Sequence, residues 1–124
     1  MKLLTIQAWI GLLLYDLIVK VRGFSGIHRV VEAHRTRPRV YSPSLIETVC
    51  NAVDEACVWY VRPAFCLQKA AVTTCLLRRH GIPAQLVIGA KAVPCITHAW
   101  VESDNRIVHG IHKRQDWFQP LYRF

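Results

Sequence analysis

Acidic residues are scarce in this 124-residue chain: 8 Asp and Glu stand against 16 Lys and Arg, a formal net charge of +8. That imbalance favours acidic partners, such as nucleic acid, an anionic membrane or an acidic peptide. The basic residues lie scattered in HRTRPR (34–39), RR (78–79) and HKR (112–114). They lack the aromatic–basic alternation that lets bases stack along a groove, so they read as solvated surface and no nucleic acid is expected. CxxC pairs are missing too. The cysteines at 50, 57, 66, 75 and 95 are odd in number, which fits reduced thiols in a cytosol better than a secreted disulfide framework. There is no internal repeat and no low-complexity segment, and the length is too short for two independent domains.

With 52% of its residues apolar, the chain can bury one ordinary core. The longest apolar stretch, LLTIQAWIGLLLYDLIV (3–19), lacks the small-residue cleavage site of a signal peptide. It is interrupted by Thr5, Gln7 and Asp16, and an aspartate inside a bilayer is costly. It reads as a largely buried or partner-docking helix whose narrow polar stripe is Thr5, Asp16 and Lys20, with membrane contact as the less favoured alternative.

Periodicity places helices first. The first runs from about Leu3 to Val21 and stops before Gly23-Phe-Ser-Gly26; a more polar piece covers about Ile27 to His34. The segment RTRPRVYSP (35–43) is a linker. Ser42-Pro43-Ser44 then opens a helix that stops before Pro63. Another begins near Ala64 or Phe65 and ends at Gly81, with Arg78 and Arg79 in its last turn and Pro83 just beyond. After it the period changes to two: QLVIGA (85–90) and THAWVES (97–103) are strands, and Asp104-Asn105 turns into RIVHGI (106–111). The fold class is therefore α+β, N-terminal helices packed on a small antiparallel sheet, with WFQPLYRF as a C-terminal tail.

Two cysteines share the third helix. Cys66 sits in its first turn, where unpaired amides and the positive end of the helix dipole favour a thiolate. Cys75 lies among Val72, Leu76 and Leu77, where burial keeps a thiol protonated. Cys66 is thus the candidate nucleophile and Cys75 packing. A thiolate needs a base to hold it ionised and to protonate a leaving amine. Of six histidines, His98 is best placed: it opens HAWVE and shares a sheet face with Trp100 and Glu102, on which a helix N-terminus could dock. The Cys66 backbone amide is the natural first oxyanion donor. Gln68 reads as an exposed helix residue. Cys50 and Cys57 read as small core residues, and Trp9, Trp59, Trp100 and Trp117 as core aromatics.

The order CLQKAAVTTCLLRRHGIPAQLVIGA, THAWVES and a hairpin return resembles the transglutaminase-like cysteine peptidases that remove the leader from lasso-peptide precursors, the stand-alone leader-peptidase subunit of that pathway. The resemblance covers about Val49 to Val108, with a weaker echo in the apolar first helix. It implies a transglutaminase-like, papain-like peptidase core over 41–124, preceded by the apolar helix and linker over 1–40, the whole forming one compact unit. The cysteine of the family's CL pair and the histidine of its HAWVE map onto Cys66 as nucleophile and His98 as base. It implies no cofactor, a precursor peptide as substrate, a separate small leader-recognition protein as partner, and the macrocyclase of the pathway acting on the product. A bacterial cytoplasmic location follows, with a membrane-peripheral one as its variant.

One departure bears on the third catalytic member. The family pattern closes the strand after the hairpin with Asn-Asp, whose aspartate orients the histidine; here the place reads His109-Gly110. A regular hairpin brings residues 109 to 111 opposite His98 and Ala99. The orienter is then Asp116 from the following loop, a backbone carbonyl, or nothing, and a weakened or inactive peptide-binding scaffold of the same fold is the alternative. A second alternative is a zinc-binding module of Cys95, His98, His109 and His112. It is disfavoured because strand residues three apart point to opposite faces.

Overall fold

The computed structural model describes residues 2–33, 43–61, 66–91, 96–103, 106–109 and 119–123. They form α1 (Lys2–Ala33), α2 (Pro43–Val58), α3 (Cys66–Arg79), β1 (Gln85–Lys91), β2 (Ile96–Ser103), β3 (Arg106–His109) and β4 (Gln119–Arg123). The α+β reading holds, with helices gathered on an antiparallel sheet of order β3-β2-β1-β4.

The first two helical pieces are joined without a loop as two arms of α1. They are separated at Gly23, whose non-helical backbone (φ 70°, ψ −161°) makes the expected break a kink after which helical geometry resumes. Only glycine takes that φ without a steric cost. The two arms of α1 then close on α3 from different directions. Ala8 and Leu12 of the first arm and Ile27 and Val31 of the second enter the same core as Val53 of α2 and Leu77 of α3.

The first arm is not the largely buried helix of the first expectation, since only one face is covered. Of the stripe residues Lys20 is exposed and the other two are engaged by the protein body: the Thr5 hydroxyl donates to Glu55 at 3.4 Å, and the Tyr60 hydroxyl donates to the Asp16 carboxylate. The arm's outer face is apolar and open, with Leu3 68% and Leu17 50% exposed. Trp9 lies partly buried edge-to-face on Tyr60, but Trp59 is 73% exposed and is not a core aromatic. Trp117 lies outside the described residues.

The C-terminus of α3 is a Schellman closure, the amide of Ile82 bonding the Leu77 carbonyl at 3.0 Å and that of Gly81 (φ 82°) the Arg78 carbonyl at 3.1 Å. Arg78 does more than offset the dipole. Its guanidinium donates to the Ala84 carbonyl at 2.9 Å and to Val31 at 2.6 Å, joining β1's approach and the end of α1 to one side chain.

In the sheet, β1 and β2 pair regularly from Gln85↔Glu102 to Lys91↔Ile96. β3 pairs Ser103↔Arg106 and Glu102↔Ile107, then slips one residue to Val101↔His109. This bulge offsets the regular hairpin register by one place. The tail, not expected as a strand, includes β4, which pairs with β1. It contains Pro120, which an edge strand tolerates.

Candidate active site

Cys66 is the first residue of α3 and is half-buried against the helical core. Its surroundings come from α1. Two residues along, Gln68 is only 1% exposed and its side-chain amide donates to the Leu12 carbonyl at 2.9 Å. The expectation of an exposed Gln68 is therefore wrong, and the amide serves packing rather than an oxyanion. Gln68, Val72 and Cys75 recur at i, i+4 and i+7, the spacing of one helix stripe, and that stripe meets α1. Val72 lies against Gly11, where an added Cβ would come within 3.1 Å of its Cγ1.

Tyr15 of α1, which the sequence does not single out, is partly buried against the helical core. Its phenol is pushed up to about 12, first by burial and then by the negative charges available to Cys66 and Asp16. No periodicity marks Tyr15 out, because it occupies an apolar position of a long apolar helix.

Burial pushes Cys50 and Cys75 each up to about 11 and raises Cys57 as well. Cys50 is core, its sulfur 3.4 Å from the Val108 carbonyl, and Cys57 packs against the same core. Cys75 borders a cavity between α1 and α3.

His98 lies on β2, onto which α3 packs, and its cross-strand neighbour on β1 is Gly89. It is half-buried, and burial lowers its imidazole below the usual 6.5, so that the ring is neutral at neutral pH. The expected docking face needs correction. Ala99 and Val101 join the helical core, whereas the buried Trp100 and Val87 do not. By strand alternation His98 takes the Trp100 and Glu102 face, away from the helices. That face is polar at one end: the Trp100 indole donates to Glu102 at 2.7 Å and Arg123 pairs with the same carboxylate at 2.6 Å. Glu102, 5% exposed, thus ties β2 to β4 across β1.

Asp116 and Gly110 lie outside the described residues. So do Cys95 and His112 and the side chain of His109, which leaves only His98 of the zinc quartet. Among the described residues no group of three or more His, Cys, Asp or Glu is placed to hold a metal ion.

Comparison with curated proteins and with solved structures finds no match. The model of one family, described as the transglutaminase-like superfamily, matches residues 11–123, from the first arm of α1 to the end of β4. That superfamily includes cysteine peptidases. A match that spans residues 11–123, over a helix-and-sheet chain of the α+β class, places this chain in the transglutaminase-like superfamily.

Proposed function

We propose that the chain is a cysteine peptidase that removes the leader from a ribosomally made lasso-peptide precursor. The observation that supports the reading is Cys66 as the first residue of α3, a helix that packs on the strand bearing His98; the ring itself lies on the opposite face of the sheet and has to be reached around its end. The Cys66 thiolate attacks the carbonyl at the leader–core junction, and the tetrahedral oxyanion is met by the free amides of the first turn of α3. His98 takes the thiol proton and returns it to the departing amine. It then takes a proton from water, whose hydroxide attacks the thioester and releases the thiolate. A neutral imidazole suits the base role. The cross-strand neighbour of His98 is Gly89, which places no side chain directly opposite the ring. Asp116 is the proposed orienter. A small leader-recognition protein and the macrocyclase are the proposed partners, in a bacterial cytoplasm.

The second reading is a peptide-holding scaffold of the same fold without turnover. The alternation that turns His98 to the Trp100 face favours it. Cleavage of a candidate precursor, with the recognition protein present, by wild type, Cys66→Ala, His98→Ala and Asp116→Ala separates the two. The peptidase reading expects no product with Cys66→Ala and a loss of roughly 10²- to 10⁴-fold with His98→Ala. Leader binding without cleavage by wild type selects the scaffold, and equal cleavage by wild type and Cys66→Ala removes the thiol from the chemistry.

A further inference from the structure

The outer face of α1 is the largest feature the peptidase reading does not use. Leu3, Ile6, Ile10, Leu14, Leu17 and Val21 are between 46% and 78% exposed. They recur at three- and four-residue intervals, so they form one stripe roughly 28 Å long. Leu3–Gly23 is long and apolar enough to cross a membrane by length and composition. Its opposite face, however, is engaged with α2 and α3 through Ala8, Leu12, Thr5 and Asp16, so the helix is held to the body of the protein.

We propose that this stripe docks α1 lengthwise on an anionic lipid bilayer. Charge complementarity selects the occupant. Asp16, the single acid of the first arm, is turned inward to Tyr60, so the outer surface carries no negative charge there. Lys20 and Arg22 are exposed at the end of the stripe, and the chain bears a net charge of +8. An interfacial helix has this combination of an apolar face and bordering cations. A protein partner helix would instead be expected to meet charges alternating in sign beside the apolar seam. The stripe also continues into the molecule. Ile10 and Leu14 border a largely apolar cavity of about 290 Å³ between the two arms of α1 and α3, with Ile27 and Val30 on its far side and Arg79 at its edge. Lipid chains against the stripe therefore meet an opening lined by apolar groups and one cation.

The test is co-sedimentation of the full chain with vesicles of phosphatidylcholine alone and of phosphatidylcholine with roughly 30 mol% phosphatidylglycerol, a strongly anionic bilayer. Wild type is expected to pellet with the anionic vesicles at least about tenfold better than with the neutral ones, and to be released by high salt. Ile10→Gln/Leu17→Gln should abolish pelleting while circular dichroism and the thermal midpoint stay at wild-type values, since both side chains are exposed. Lys20→Gln/Arg22→Gln should weaken anionic binding roughly fivefold or more and leave the neutral value unchanged. Wild type remaining in the supernatant with both vesicles overturns the proposal, as does unaltered pelleting by the folded Ile10→Gln/Leu17→Gln variant. A wild-type dimer in gel filtration that this variant dissociates, without vesicle binding, assigns the stripe to a second copy of the chain.

Discussion

The hydroxyl of Tyr60, just past the end of α2, donates to the carboxylate of Asp16 in the middle of α1. A charged residue in the longest apolar run is thereby anchored to the protein body, and the apolar side of that run is left outside. Tyr60→Phe removes the donor and leaves the half-buried carboxylate undersatisfied, at an expected cost of about 1–3 kcal/mol. Urea unfolding monitored at equilibrium checks it; a midpoint equal to wild type would mean that water replaces the phenol without loss.

Glu102→Ala should cost about 2–3 kcal/mol, because it removes the carboxylate that accepts from the buried Trp100 indole N–H and pairs with Arg123 of β4. Glu102→Gln should cost less, since its carbonyl oxygen can still accept from one donor. Thermal midpoints of the two variants, compared with wild type, give the ordering. If the alanine variant is the more stable of the two, the carboxylate is not what holds β4.

Gly23→Ala should destabilise by about 1–2 kcal/mol, since it forces a Cβ into the left-handed region at φ 70°. Gly26→Ala should do so too, by crowding: its Cβ would stand 2.8 Å from the Cβ of Arg22 and 2.9 Å from the Cγ2 of Ile18. Both are read as shifts in the urea midpoint, and a gain in either would show that the kink relaxes into a straight helix.

Burial lowers the His98 imidazole below 6.5, so the unfolded chain takes up this proton at a higher pH than the folded protein does. The folded state therefore binds fewer protons in that window. Stability is fully present above about pH 6.5 and falls as pH drops from there through the lower folded value. His98→Gln should flatten this dependence. Unfolding midpoints at several pH values from 7.5 to 5 measure the difference in slope between the two proteins, which cancels the other histidines.

Iodoacetamide at pH 8 should modify Cys66 ahead of Cys50, Cys57 and Cys75. With thiols near 11, Cys50 and Cys75 are ionised to only about one part in a thousand at that pH. Peptide mapping by mass at successive times gives the order. Faster labelling of Cys75 than of Cys66 would place the reactive sulfur in the cavity between α1 and α3.

The helices and the hairpin are legible from spacing and punctuation. Gly81 stops α3, and Asp104-Asn105 joins strands that do pair antiparallel. Three features are not. β4 is hidden because Pro120 argues against a strand unless one knows that it lies at an edge. The bulge between Glu102 and Val101 shifts the register by one residue, which no composition announces. The third is orientation. Period two groups His98 with Trp100 and Glu102, but only the tertiary packing of Ala99 and Val101 decides which of the two faces the helices cover. For α1, an all-round apolar pattern cannot say which side turns inward. Thr5 and Asp16 turn inward because Glu55 and Tyr60 stand opposite them, some fifty and forty-four residues away.

Pro120 has a consequence for how the sheet ends. β4 forms one border of the sheet and carries at Pro120 a residue with no backbone donor at all. The other border, β3, is four residues long and broken by its bulge. Neither margin is a good template for adding strands from neighbouring molecules, which protects a small, apolar-rich chain from growing into fibrils at high concentration.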